Sequence, residues 1–191
     1  MNLPNKISML RIFLIPIMIF FYLANFIPNN QLIACIILII AASTDFIDGY
    51  IARKNNLVTD LGKFLDPIAD KILTMAALLL VIADGTIPSP YGAIIGIIII
   101  GREFAISAFR QIAATKNFVM AADKWGKIKT IVSDISLPAL FLLAFFSNSN
   151  IMNAEQIFGF QIFNYVLIGI ATVLTIISGM NYLIKNRRVF K

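Results

Sequence analysis

Residues 36–82 read IILIIAASTDFIDGYIARKNNLVTDLGKFLDPIADKILTMAALLLVI. Two apolar runs, Ile36–Ala42 and Ile72–Ile82, flank the central part of this stretch. Between them lie five aspartates, of which Asp45, Asp48, Asp66 and Asp70 form two closely spaced pairs. An ionised carboxylate is costly at the edge of a membrane core unless a cation or a polar cavity compensates it. The stretch therefore predicts a functional site in a membrane-embedded protein.

The composition supports a membrane protein. Of the 191 residues, 59% are hydrophobic and 14% are charged, which is too apolar for an ordinary soluble domain. The length corresponds to about one domain, so we expect a single membrane domain over residues 1–191. The formal net charge is +6, but the basic residues lie between apolar runs, which favours a membrane over a nucleic-acid partner.

Six apolar segments predict an all-α bundle of six transmembrane helices. Most are close to the ~20 residues that a helix needs to cross the hydrocarbon core. The segments are Ile7–Phe26, Leu32–Tyr50, Phe64–Ile82, Ile94–Ile112, Ile131–Phe146 and Phe158–Ile184.

The distribution of charge predicts the orientation of this bundle. With six spans, all 16 Lys and Arg fall on the side that holds both termini, whereas the opposite loops hold only Asp84 and Glu155. Basic residues mark the cytoplasmic side. We therefore expect an integral protein of the cytoplasmic membrane, with both termini and the aspartates on the cytoplasmic side.

The rare residue types restrict the chemistry. The chain has no histidine and one cysteine, Cys35, which excludes imidazole catalysis, disulfides within the chain and thiolate or imidazole zinc sites. Carboxylates remain as metal ligands, and oxygen ligation suits Mg²⁺ or Mn²⁺.

The spacing of the aspartates favours such a metal site. Asp45 and Asp48 are three residues apart and Asp66 and Asp70 are four apart, so each pair shares one helix face. The second and third spans, which carry these pairs, are antiparallel, so the two faces can oppose each other. One or two divalent cations would relieve the repulsion between the carboxylates and would also bind a pyrophosphate. Pairing with lysines on a solvated loop is the alternative, but it does not account for aspartates directly after a long apolar run.

The small residues beside the aspartates suit a nucleotide. Gly49, Ala52 and Gly62 lack bulk, so a ligand can approach the backbone closely, and Arg53 offers a planar fork for phosphate.

The frame D-x-x-D-G-x-x-A-R-x8-G-x3-D-x3-D resembles the signature of the CDP-alcohol phosphotransferases. The resemblance implies a six-helix membrane bundle with a polar cavity open to the cytoplasm, and a homodimer. It also implies that Asp45, Asp48 and Asp66 are metal ligands and that Asp70 is both a ligand and the general base. The implied reaction moves a substituted phosphoryl group from a CDP-linked donor to an alcohol.

Three further blocks resemble the branch of this family that uses CDP-diacylglycerol and sn-glycerol 3-phosphate. They are residues 4–11, which carry Ser8 where Thr is expected, 101–114 and 119–130. Together with the frame, they assign CDP-diacylglycerol binding to Asn5, Ser8, Arg11, Gly49, Ala52, Arg53 and Gly62.

Basic residues near the fourth and fifth spans are candidates for the acceptor phosphate. Arg102 and Arg110 are two turns apart and need anionic partners within an apolar helix. The expected glycerol-3-phosphate contacts are Lys63, Arg102, Ser107, Arg110, Lys127 and Lys129. Internal pairing with Glu103 and Asp134 is the alternative, and for Arg102 it is left open.

Three other functions compete with this one. A sibling enzyme would use serine, inositol phosphate or a phosphatidyl lipid as its acceptor, although the 101–130 region favours a phosphorylated acceptor. A cation channel or transporter would place its carboxylates nearer the bilayer midplane. A noncatalytic scaffold leaves the four aspartates unexplained.

Overall fold

The computed structural model describes residues 3–54, 60–115 and 124–186; the side chains of residues 3–8, 45–54, 60–66 and 114 lie outside this description. The described residues form six α-helices and contain no β-strand. The helices are α1 Leu3–Leu23, α2 Asn30–Lys54, α3 Asp60–Ala83, α4 Tyr91–Thr115, α5 Lys124–Asn148 and α6 Ala154–Lys185.

The predicted all-α class and the order of the six segments are confirmed. Helices α2 to α6 extend beyond both ends of their apolar runs, and α5 begins at Lys124 rather than at Ile131. This difference arises because a helix continues through polar turns that an apolar run does not include. Helix α1 begins earlier than predicted, at Leu3, but ends at Leu23 rather than at Phe26 because turns follow it. Within the described residues, three helical segments are long and apolar enough to cross a membrane: Tyr91–Ala113, Lys124–Asn148 and Ala154–Lys185.

The core lies where the first three helices meet α5. Helix α1 packs against α2 and α3, and α5 packs against α2 and α6. Met18, Leu78 and Phe141 are completely or almost completely buried in this core. Helix α4 packs against α6 and, more lightly, against α3.

A small-residue pair on α4 allows its approach to α3. A Cβ atom on Gly92 would lie 2.8 Å from the carbonyl oxygen of Ile87, and one on Gly96 would lie 3.0 Å from Cδ1 of Ile82. These contacts explain why the G-x-x-x-G spacing occurs here: it serves packing within the bundle.

Hydrogen bonds show which helix ends lie together. At one end, the Tyr22 hydroxyl at the end of α1 donates to Asp84, which follows α3. The Asn148 amide at the end of α5 donates to Gln31 at the start of α2, over 3.0 Å. The C-terminal part of α2 and the N-terminal parts of α3 and α5 therefore lie at the other end of the bundle.

Candidate active site

The helices bring the two aspartate pairs to that other end. Asp45 and Asp48 lie in the last three turns of α2, and Asp66 and Asp70 lie in the first three turns of α3, on either side of residues 55–59. Of the four, Asp70 has a described side chain, and it lines a cavity. The Thr74 hydroxyl, one turn farther along α3, donates to the Asp70 carbonyl oxygen over 3.0 Å.

Arg11 joins α1 to α2 directly before the first aspartate pair. Its side chain is completely buried, and its Nε atom lies 3.2 Å from the Ala41 carbonyl oxygen and 3.3 Å from Oγ1 of Thr44. Because Thr44 precedes Asp45, the arginine helps to hold the turn of α2 directly before the first aspartate pair.

The cavity beside Asp70 lies among α3, α4 and α5 and has a volume of about 50 Å³. Leu78 and Ile99 supply apolar parts of its wall. Its charged and hydroxyl-bearing residues include Asp70, Lys71, Glu103, Lys129, Ser133 and Asp134.

Glu103 is the centre of the ionic contacts on this cavity. Its Oε1 atom lies 2.7 Å from Nζ of Lys129 on α5 and 2.9 Å from Nη1 of Arg102 on its own helix. Lys129 is buried, with 5% of its surface exposed. Charge-assisted bonds of this length are among the stronger protein hydrogen bonds, so Glu103 fixes the position of the Lys129 ammonium.

Lys71 and Ser107 connect α3 to the same group. The Lys71 ammonium donates to Oγ of Ser107, and this hydroxyl donates to the Glu103 carbonyl oxygen over 2.7 Å. Three helices are thereby linked through polar contacts around the cavity. Since the Ser107 hydroxyl accepts from Lys71 and donates to Glu103, its predicted contact with the acceptor stays a prediction.

Arg102 adopts the internal pairing that the sequence left open. Besides Glu103, its guanidinium donates through Nη2 to Oγ of Ser178 on α6, over 3.0 Å. A Cβ atom on Gly179 would lie 3.2 Å from Cγ of Arg102, so the absence of a side chain at Gly179 makes room for the arginine. Arg102 therefore holds α4, α6 and Glu103 together.

Two other predicted acceptor residues lie farther out. Arg110 is exposed, and its guanidinium carbon lies 6.0 Å from the ring centroid of Tyr182, a cation–π distance. Lys127 is exposed near the start of α5. Their roles in phosphate binding stay predictions.

The remaining predicted contacts belong to helical turns whose side chains lie outside the described residues. The backbone places two of them in α1, three in α2 and two in α3, all toward the end that carries the aspartates. They are Asn5, Ser8, Gly49, Ala52, Arg53, Gly62 and Lys63.

The aspartate frame fits a hard divalent cation. Four carboxylates supply only oxygen donors, which Mg²⁺ and Mn²⁺ prefer, and the ends of α2 and α3 carry them to the same end of the bundle. Among the side chains that the structure describes, no group of three Asp, Glu, His or Cys residues forms a competing metal site.

Ser133, Ser178 and Gly179 were not among the predicted site residues. Ser133 lies four residues after Lys129, one helical turn along the same face. Two polar residues at this spacing in an apolar helix could have indicated that Ser133 belongs to the site. Ser178 and Gly179 meet Arg102 across 76 or more residues of sequence, and no local pattern predicts that contact.

Comparison with known proteins identifies the family. Residues 1–181 match the family model described as CDP-alcohol phosphatidyltransferase. The chain belongs to the CDP-alcohol phosphatidyltransferase family. This membership places it among the transferases and agrees with its long apolar helices, which indicate a membrane protein.

Several curated relatives in the CDP-alcohol phosphatidyltransferase family are similar over nearly their whole length. A protein of Bacillus subtilis is 40% identical, over 100% of this chain and 97% of its own. Proteins of Haemophilus influenzae and Rickettsia bellii are 36% and 34% identical, over 95% of this chain and 91% and 93% of their own. All three are named CDP-diacylglycerol–glycerol-3-phosphate 3-phosphatidyltransferase.

Proposed function

We propose that the chain transfers the phosphatidyl group of CDP-diacylglycerol to sn-glycerol 3-phosphate, yielding phosphatidylglycerophosphate and CMP. The names of relatives that match over nearly the whole chain support both substrates. The structural observation that carries the proposal is the cavity shared by Asp70 and Lys129. It combines a carboxylate that can accept a proton with an ammonium that can attract a phosphorylated acceptor.

Asp70 is the proposed general base. Its carboxylate accepts the proton of the primary hydroxyl of glycerol 3-phosphate. The oxygen of that hydroxyl then forms a bond to the phosphorus that carries diacylglycerol, and the bond from this phosphorus to the CMP oxygen breaks. Such proton transfer is typically worth about 10²–10⁴ in rate. The step requires no histidine, in agreement with the composition of the chain.

Asp45, Asp48, Asp66 and Asp70 are the proposed ligands of one or two Mg²⁺ or Mn²⁺ ions. When bound, such ions offset the negative charge of the pyrophosphate and of the departing CMP. The resemblance of the frame and its all-carboxylate donor set support this assignment.

The acceptor phosphate is proposed to meet basic residues around the cavity. Lys129 is held by Glu103 at the cavity wall, while Arg110 and Lys127 are exposed. Lys63, at the start of α3, is the further basic residue proposed for this phosphate. Loss of one charge-assisted contact costs about 1.5–3 kcal/mol. Arg110→Ala should therefore raise the KM for glycerol 3-phosphate by about tenfold or more while changing the KM for CDP-diacylglycerol less; equal changes would remove Arg110 from the acceptor site.

The donor is proposed to lie across α1, α2 and the start of α3. Small residues at Gly49, Ala52 and Gly62 permit a close approach of the nucleotide, and Arg53 and Arg11 supply positive charge near the pyrophosphate. Asn5 and Ser8 are assigned to the same substrate by resemblance.

All six helices are proposed to span the cytoplasmic membrane, with both termini and the cavity on the cytoplasmic side. The excess of basic residues at that side supports this orientation. Because Cys35 is the only cysteine, a Cys35→Ser chain allows single cysteines to be placed at Lys116 and at Ser149. An impermeant thiol reagent should label position 149 and spare position 116 in intact cells; the reverse pattern would invert the orientation.

A homodimer is proposed on the family resemblance alone. Light scattering of the purified protein in detergent should give twice the mass of one chain, whereas a monomer mass would contradict it.

The experiment that tests the function is a CMP-release assay on purified protein. CDP-diacylglycerol is supplied with glycerol 3-phosphate, glycerol, serine, myo-inositol or inositol phosphate. We expect CMP to be released only when glycerol 3-phosphate is the acceptor. Comparable release with inositol phosphate or serine would assign the chain to a sibling activity.

A further inference from the structure

Ser133 is an exception among the buried hydroxyls of the bundle. Ser136 donates to the Ser133 carbonyl oxygen over 3.0 Å, and Thr172 and Thr175 donate to carbonyl oxygens one turn earlier, over 2.8 and 2.7 Å. The Ser133 side chain is 5% exposed, yet its Oγ atom has no hydrogen-bond partner among the described residues. A buried hydroxyl without a partner is costly, so its retention requires an explanation.

The position of Ser133 supplies that explanation. It lines the same cavity as Asp70 and Lys129, one helical turn from Lys129 along α5. The unpartnered hydroxyl is therefore next to the space where the acceptor would bind. A polar ligand in that space would give Oγ the partner that the protein does not supply.

The size of the cavity fits a short polyol. A single water needs about 10–15 Å³ in this measure of volume. At about 50 Å³, the cavity has room for a few groups of that size. This is the scale of a short polyol.

We propose that Ser133 is a specificity-determining residue that binds the secondary hydroxyl of the three-carbon acceptor, an inference that rests on the proposed function. With the primary hydroxyl at Asp70 and the phosphate at the basic residues, the secondary hydroxyl is the remaining polar group of the acceptor. The hydrogen bond between this secondary hydroxyl and Ser133 orients the primary hydroxyl. It also favours glycerol 3-phosphate over a phosphorylated acceptor that lacks the secondary hydroxyl.

The test compares two acceptors that differ in one hydroxyl. Glycerol 3-phosphate and 3-hydroxypropyl phosphate, which lacks the secondary hydroxyl, are supplied with CDP-diacylglycerol to the wild type and to Ser133→Ala. In the wild type, kcat/KM should be roughly tenfold or more lower for the deoxy acceptor, because Ser133 is then left without a partner. In Ser133→Ala, kcat/KM for glycerol 3-phosphate should fall to that of the deoxy acceptor, whose own value should not change.

Ser136→Ala is the matched control. Ser136 lies three residues along the same helix and is buried, but its hydroxyl already has a partner in the protein. This variant should keep the wild-type preference between the two acceptors. Without substrates, Ser133→Ala should have a thermal midpoint at or above that of the wild type, since it removes an unpaired buried hydroxyl, whereas a structural role would lower the midpoint. Ser133→Cys, which keeps the shape with a weaker donor, should give an intermediate preference.

The outcomes separate this inference from the proposed function. A wild type that uses glycerol 3-phosphate but does not distinguish it from the deoxy acceptor would overturn the inference alone. An equal loss of kcat/KM for both acceptors in Ser133→Ala would also overturn it. A wild type that uses neither phosphorylated acceptor would instead overturn the proposed function.

Discussion

Nζ of Lys129 on α5 lies 2.7 Å from Oε1 of Glu103 on α4, and both residues line the cavity that Asp70 also lines. The same oxygen accepts from Arg102, so one carboxylate holds two cations. Neither cation is then oriented by the acceptor alone. The ammonium at the cavity wall is set in place before the substrate arrives, which lowers the ordering cost of binding.

Replacement of Glu103 by glutamine tests this arrangement. Glu103→Gln removes the charge that holds Lys129 and Arg102, and each lost charge-assisted bond is worth about 1.5–3 kcal/mol. We expect a lower thermal midpoint in detergent and a higher KM for glycerol 3-phosphate. Glu155→Gln is the control, because Glu155 is exposed in the first turn of α6, away from the cavity. Equal effects of the two substitutions would contradict the role given to Glu103.

The contact between Arg102 and Gly179 gives a second prediction. A Cβ atom on Gly179 would lie 3.2 Å from Cγ of Arg102, whose guanidinium is held by its bonds to Glu103 and Ser178. Gly179→Ala should therefore destabilise the bundle by about 1–3 kcal/mol, the usual cost of overpacking.

Gly169→Ala is the matched control on the same helix. A Cβ atom there meets nothing within 4 Å, so alanine should stabilise α6 by up to about 1 kcal/mol through helix propensity. Thermal unfolding of both variants in the same detergent isolates the effect of the Arg102 contact. A midpoint for Gly179→Ala equal to that of Gly169→Ala would show that Arg102 adjusts freely.

The fold was largely predictable, because the lengths of the apolar runs and the turn-forming residues between them separate six helices. The helix ends were not predictable, as the start of α5 at Lys124 shows. Polar turns at a membrane edge lie outside the apolar runs from which the helices were predicted. In the site, the spacing of the aspartates from Asp45 to Asp70 predicted that both pairs lie at the same end of the bundle. The contact from Arg102 to Ser178 was not predictable, because it depends on how α4 and α6 pack.

The role of Asp70 as a base can be separated from a role in metal binding. If Asp70 accepts the proton, Asp70→Asn should lower kcat by about 10²–10⁴ even at saturating Mg²⁺ and saturating substrates. The amide cannot accept that proton near neutral pH. Measurement of kcat across a Mg²⁺ titration distinguishes the two roles, since recovery to near wild-type turnover would leave Asp70 as a ligand only.

The other three aspartates should act through metal binding. Asp45→Asn, Asp48→Asn and Asp66→Asn each remove one anionic ligand, so each should weaken the binding of Mn²⁺ to the purified protein and abolish transfer. Titration with Mn²⁺ followed by electron paramagnetic resonance measures the binding directly. Asp84→Asn, at the opposite end of the bundle, is the control and should bind Mn²⁺ as the wild type does. Unchanged Mn²⁺ affinity in all three variants would remove the frame from the metal site.

Transfer of radiolabelled glycerol 3-phosphate into lipid is the most direct test of the proposed function. Purified protein is mixed with CDP-diacylglycerol, the labelled acceptor and Mg²⁺, and the organic phase is separated and identified by mass. We expect labelled phosphatidylglycerophosphate in an amount equal to the CMP released, no product in excess EDTA, and recovery of transfer when Mg²⁺ is restored. CMP release without label in the lipid, or full transfer in chelated buffer, would contradict the proposed function.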